Sequence, residues 1–177
     1  MIVDEAGRAV PPGEIGNLLV KGDSACAGYW NQHERSQQTF VGEWVRTGDK
    51  YRQDAAGCFW YAGRSDDMIK AGGMWVSPAE VESALAEHPA VVEAGVVGAA
   101  DADELVKPLA FVVLAAGHVA SPALEEELQA FVKQRLAAYK YPRWIVFVNE
   151  LPKTATGKIQ RFRLREIAAQ THRTNKG

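Results

Sequence analysis

Two Ser-Pro pairs, Ser77-Pro78 and Ser121-Pro122, limit what the C-terminal part of this chain can fold into. A serine hydroxyl accepts an orphan N–H of a helix's first turn, and the fixed φ of proline suits the first helical position. Each pair therefore predicts a helix start. The first helix is expected from about Pro78 to Glu87, with Ser77 and Glu80 in a capping-box pattern. The second, amphipathic, should run from Ser121 to about Ala137. Around them lie apolar or β-branched runs of strand length, Val91–Val97, Leu109–Leu114 and Trp144–Val148. Gly72-Gly73 marks a hairpin ahead of the first helix, and a last short helix is expected over Arg163–Ala169. The expected fold class is α+β: a three-stranded sheet with packed helices and a hairpin, preceded by a β-rich block.

That block, residues 1–65, reads as short strands at Ile2-Val3, Asn17–Lys21, Trp44-Val45 and Phe59–Ala62, with a helical turn around Glu34–Phe40. Asp54-Ala55-Ala56-Gly57 supplies a hairpin turn between the last two strands. Few of these strands alternate cleanly, and the block is expected to be the incomplete end of a larger domain. The pattern changes after Asp66-Asp67. The expected organisation is thus 1–65, β-rich and incomplete; 66–170, an α+β domain; and 171–177, a polar tail.

Of the 177 residues, 47% are hydrophobic, which is enough for a real core and argues against disorder. A formal net charge of −2 and a pI near 6.1 leave no global field to gather nucleic acid or anionic lipid. Cys26 and Cys58 are far apart and have no ligand-spaced His or Cys beside them, so neither a metal site nor a disulfide framework is expected. No apolar run approaches the roughly 18 residues of a membrane span. The start, Met1-Ile2-Val3-Asp4-Glu5, lacks the features of a signal peptide, so a cytoplasmic protein is expected.

The chemistry is carried by Leu151-Pro152-Lys153-Thr154-Ala155-Thr156-Gly157-Lys158-Ile159. Gly157 allows a tight turn and leaves the Lys158 ammonium a mobile point charge suited to a phosphate. A Walker loop is excluded, because it needs Gly at Pro152 and Ser or Thr at Ile159. In Arg46-Thr47-Gly48-Asp49 the carboxylate of Asp49 can accept two ribose hydroxyls or, equally, close a β-turn. The Arg64 fork can bond a ribose or phosphate oxygen, or form a surface ion pair with Asp66 or Asp67. Gly72 and Gly73, after Lys70, suit either a thin ligand arm along the backbone or a plain hairpin turn. Tyr139-Lys140-Tyr141-Pro142-Arg143 can stack on a nucleotide or form a helix exit with snorkelling side chains.

The ordered segments Trp44-Val45-Arg46-Thr47-Gly48-Asp49-Lys50-Tyr51, Phe59 to Met68, Ser77-Pro78-x-Glu80-Val81-Glu82 and Leu151 to Lys158 resemble the C-terminal part of the acyl-CoA synthetase, adenylation-domain and luciferase superfamily, above all benzoate and related aryl-CoA ligases. The resemblance implies an acid-CoA ligase of the AMP-forming kind. ATP and a carboxylic acid, aromatic in this subgroup, give an acyl-adenylate and pyrophosphate, after which CoA displaces AMP. It also implies roles. Lys158 serves adenylation, Asp49, Arg64 and Lys70 bind ATP or AMP, and Asp66 is the hinge of a large rotation. Gly72, Gly73, Tyr139 and Lys140 lie along CoA. The family's phosphate loop, its magnesium-binding segment and its acyl pocket have no counterpart here, so an N-terminal domain is the implied partner and the chain alone is expected to be inactive. The Ser common beside the family's glycines is also missing from Ala71-Gly72-Gly73. A carrier-loading adenylation domain and a non-catalytic module binding a ligase partner or nucleotide remain as alternatives.

Overall fold

In the computed structural model, which describes residues 1–174, the chain divides into two units, Met1–Asp66 and Asp67–Gly177. The first is built on one sheet, ordered β1 (Ile2–Val3), β2 (Ile15–Val20), β4 (Trp44–Gln53), β3 (Phe40–Val41), with β5 (Phe59–Arg64) also pairing with β4. A short helix, α1 (His33–Thr39), precedes β3. Asp54 closes the β4–β5 hairpin by accepting the N–H groups of Ala56 (3.0 Å) and Cys58 (2.9 Å) and the Trp60 indole N–H (2.7 Å). The Trp60 bond first, then the backbone N–H of Cys58, holds this carboxyl below its ordinary pKa.

The second unit is the α+β arrangement that the Ser-Pro pairs predict. A hairpin of β6 (Ile69–Ala71) and β7 (Met74–Val76) leads into α2 (Pro78–Ala86). Next come the antiparallel pair β8 (Val91–Ala100) and β9 (Val106–Leu114), then α3 (Pro122–Arg135), β10 (Trp144–Phe147) and α4 (Arg161–Thr174). Strand β10 runs parallel to β9, a connection that needs a crossover, and α3 provides it. Ser121 caps α3 through the Leu124 N–H at 3.2 Å. The capping box of α2 is only half made: Ser77 accepts the Glu80 N–H at 3.4 Å, but both Glu80 carboxylate oxygens accept from Lys140 Nζ at 2.7 Å. The polar stretch expected at 171–177 continues α4 as far as Thr174, and residues 175–177 lie outside the described residues.

The core sits on both faces of the three-stranded sheet. On one face Val96, Ala110, Val112 and Ile145 meet Val81 and Leu85 of α2 and Leu128 and Val132 of α3. On the other, Val97, Leu109 and Phe111 meet Leu151 and, from α4, Leu164 and Ala168. Strand alternation sends neighbouring residues of β9 to opposite layers, which explains its unbroken apolar run Leu109–Leu114. Leu164 is 1% exposed, and its Cδ1 would lie 2.7 Å from a Cβ built on Gly95, so α4 rests against the backbone of β8. Replacing Leu164 with Ala should destabilise the second unit by about 2–5 kcal/mol through lost transfer energy and the cavity left behind. The urea midpoint of the variant checks this.

Candidate functional site

Lys158 stands on a turn that the sequence builds locally. The Thr154 N–H donates to the Lys158 carbonyl at 2.8 Å, and the Gly157 N–H donates to the Thr154 carbonyl at 2.9 Å. The Lys158 N–H returns to Thr154 Oγ1 at 3.1 Å, and the Thr154 and Thr156 hydroxyls meet at 2.9 Å. Gly157 lies at φ +81°, which favours glycine. A bridge between Lys153 and Ile159 joins the two limbs, and Ile159 packs against the core layer under α4. The Lys158 side chain is exposed, and no acceptor among the described residues reaches its ammonium. Its neighbours differ: Lys153 pairs with Glu93 at 2.6 Å and Lys140 with Glu80 at 2.7 Å.

In the first unit, Asp49 and Arg64 face each other in the β4–β5 register, with Arg64 NH1 donating to Asp49 Oδ1 at 3.1 Å. Arg64 Nε also lies 3.6 Å from Asp66 Oδ1, the surface ion pair that the sequence left as one alternative. Burial works against the charge on Arg64, but the carboxylates of Asp49 and Asp66 outweigh it and hold the guanidinium above its ordinary pKa. Gly48, at φ +76°, lets this guanidinium lie over the turn: a Cβ there would meet Arg64 NH2 at 3.1 Å. The Asp49 N–H donates to Thr47 Oγ1 at 3.1 Å, and its carboxylate accepts from Arg64.

In the second unit, Gly72 and Gly73 lie at φ +57° and +84°, the two positive values of a type I′ hairpin turn between Ala71 and Met74. Lys70 faces Trp75 across this hairpin, its Nζ 5.4 Å from the ring centroid. A cleft of about 450 Å³ opens beside the turn. Gly72, Tyr139 and Tyr141 line it with Lys107, Arg143 and Asp101, whereas Gly73, Lys140 and Lys158 are not in its wall. Lys140 is instead held by Glu80, and its side chain is 17% exposed. Arg143 donates to the Tyr141 hydroxyl at 2.7 Å and has no acid partner among the described residues. Lys107 is remote in sequence from Gly72 and Tyr139 and has no motif of its own, so only folding reveals its place. No group of three or more His, Cys, Asp or Glu among the described residues could hold a metal ion, and no described helix is long and apolar enough to cross a membrane.

Residues 80–158 match the family model described as AMP-binding enzyme C-terminal domain. The chain is 56% identical over 165 residues to a benzoate–CoA ligase of Thauera aromatica, a match covering 93% of this chain and 31% of that protein. It is 52% identical to a 4-hydroxybenzoate–CoA/benzoate–CoA ligase of Rhodopseudomonas palustris, over 94% of this chain and 31% of that protein. An anthranilate CoA ligase solved with anthranoyl-AMP superposes with a TM-score of 0.84 at 56% identity, over 94% of this chain and 32% of the other. The chain therefore spans about a third of the length of the relatives it matches.

The contrast among lysines predicts an order of reactivity. Brief treatment of the folded chain with an amine-acylating reagent should modify Lys158 before Lys140 or the buried Lys50, whose Nζ donates to Glu5 Oε1 at 2.9 Å. Peptide mass spectrometry reads the order, and faster modification of Lys140 would contradict it.

Proposed function

We propose, from the premise that residues 80–158 belong to the AMP-binding enzyme C-terminal domain family, that this chain supplies the C-terminal part of an ATP-dependent, AMP-forming CoA ligase for an aromatic carboxylic acid. One observation carries the reading: Lys158 is presented on a braced turn with its ammonium unpaired among the described residues, while Lys140 and Lys153 are engaged by acids. An unpaired cation can follow charge as it develops. In the first half-reaction a carboxylate oxygen bonds to the α-phosphorus of ATP and the bond to pyrophosphate breaks. A lysine ammonium at that phosphate stabilises the extra negative charge, an effect on the order of a few kcal/mol for one well-placed group. Asp49 would take the ribose hydroxyls, with Arg64 beside it, and Lys70 would approach the nucleotide. Magnesium, in this reading, travels with the ATP phosphates and is held by residues outside this chain. Asp66 would be the hinge about which the second unit turns between the two half-reactions, an ordinary way to absorb a rotation at one residue.

In the second half-reaction the CoA thiol attacks the acyl carbon and AMP leaves. The cleft beside Gly72 supports a seat for the CoA nucleotide, since Tyr139 and Tyr141 offer ring faces and Lys107 and Arg143 offer two cations to phosphate. Gly73 would border the pantetheine arm. Lys140 would act here beside Tyr139, its ammonium 5.8 Å from that ring and paired with Glu80. The reading places the protein in the cytoplasm, with the remainder of the ligase as its partner and with no nucleic acid or membrane surface.

In the complete ligase, Lys158→Ala should abolish pyrophosphate release and spare thioester formation from supplied acyl-adenylate. Equal loss of both steps would overturn the role of Lys158. Arg143→Ala should raise the KM for CoA roughly tenfold, the size of one lost charge-assisted hydrogen bond, while pyrophosphate release is unchanged. An unchanged KM for CoA would remove the cleft from the mechanism. Placing Pro at Asp66 should slow overall turnover more than either isolated half-reaction.

A further inference from the structure

We infer that Arg161 is a positioning residue that orients the Lys158 turn for adenylation, an assignment that rests on the role of Lys158 proposed above. Arg161 is the first residue of α4 and the exit of the lysine turn. Its NH2 donates to Glu82 Oε2 at 2.6 Å, and its NH1 lies 3.5 Å from Asp67 Oδ2. Each of these carboxylates is also held at its other oxygen. Glu82 Oε1 accepts the Val96 N–H of β8 at 2.8 Å, and Asp67 Oδ1 accepts Arg165 NH1 at 3.1 Å. The three side chains are only 15–22% exposed, so solvent screens them less than a surface pair.

Helix electrostatics show that this arginine is not there to favour α4 itself. The N-terminus of a helix prefers acids, yet the first turn of α4 carries Arg161 and Arg163 and no acidic residue. The compensating negative charge comes from elsewhere, from Glu82 on α2 and from Asp67. The Nε of Arg161 is buried without an acceptor among the described residues, so the two carboxylates alone set the pose of the guanidinium. Apolar anchors at Leu151 and Ile159 fix how deep the limbs of the turn sit, but such contacts are not directional. The fork of Arg161 supplies the direction. Asp67 is the first residue of the second unit, directly after Asp66, so the same contact ties the lysine-bearing arm to the segment at the unit boundary. When the second unit turns, Lys158 then moves with that segment as one body.

The test is a double-mutant cycle in the complete ligase, reading pyrophosphate release and thioester formation from supplied acyl-adenylate for Lys158→Ala, Arg161→Ala, Arg161→Lys and the Lys158→Ala/Arg161→Ala pair. Arg161→Ala should slow pyrophosphate release by about 10- to 100-fold, the effect of misplacing a reacting group, and leave the thioester step nearly unchanged. Arg161→Lys should recover part of the loss, and Arg161→Ala should add nothing once Lys158 is gone. Equal loss of both steps, or full additivity with Lys158→Ala, would overturn the assignment and leave Arg161 a stabilising residue. If Arg161→Ala does not fold, Glu82→Gln weakens the same contact while keeping an acceptor for Val96, and it should give a smaller loss confined to adenylation. Loss in Lys158→Ala with none in Arg161→Ala would remove the inference alone. Wild-type adenylation in Lys158→Ala would remove the proposed role of Lys158 as well.

Discussion

Over Pro108 to Val112, strand β9 has no face turned to water. Its Ala110 and Val112 belong to the layer under α2 and α3, and its Leu109 and Phe111 belong to the layer under α4. Burial of apolar area on both sides of one strand is the main favourable term available to a unit of this size, and every helix of the second unit is recruited to supply it. The helices are therefore not free to choose their places. The start of α4, which carries the lysine turn, is located by Leu164 against Gly95 before any charge is considered.

Charged groups then refine what the core has roughly placed. Lysines 50, 140 and 153 all have acid partners, and each partner comes from a different part of the chain: Glu5, Glu80 and Glu93. Such pairs contribute little when exposed and more when partly buried, and their chief effect here is to remove these cations from competition for a ligand. Among the cations of the described residues that no acid holds are Lys158 on its turn and Lys107 with Arg143 in the cleft. A chain with a net charge near zero can thus still present concentrated positive charge at chosen points.

The fold class was legible because its signals are local. Ser-Pro pairs start helices, paired glycines turn a hairpin, and a doubly buried strand shows as an apolar run. The misses were places where distant residues decide. Helix α4 begins at Arg161 and reaches Thr174, beyond the Arg163–Ala169 expected, because acids on other elements offset arginines that disfavour a helix start. Strand β8 runs on through Gly98, Ala99 and Ala100, poor strand formers that are carried by pairing with Val106–Pro108. At the candidate site, residue types could be read but partners could not. Lys140 looked available for a nucleotide, and Glu80, which engages it, is 60 residues away. Lys107 had no motif at all.

The lysine turn has one further property. Three of its backbone bonds, from the N–H groups of Thr154, Gly157 and Gln160, end within the segment itself, and the last closes it on the Pro152 carbonyl at 2.8 Å. A loop that satisfies its own backbone asks little of its surroundings beyond the anchoring of its two ends. It behaves as a cassette: its shape can survive changes in the helix behind it or the strand before it. Variation among such proteins can then alter how the arm is mounted, and hence where its tip arrives, without rebuilding the tip.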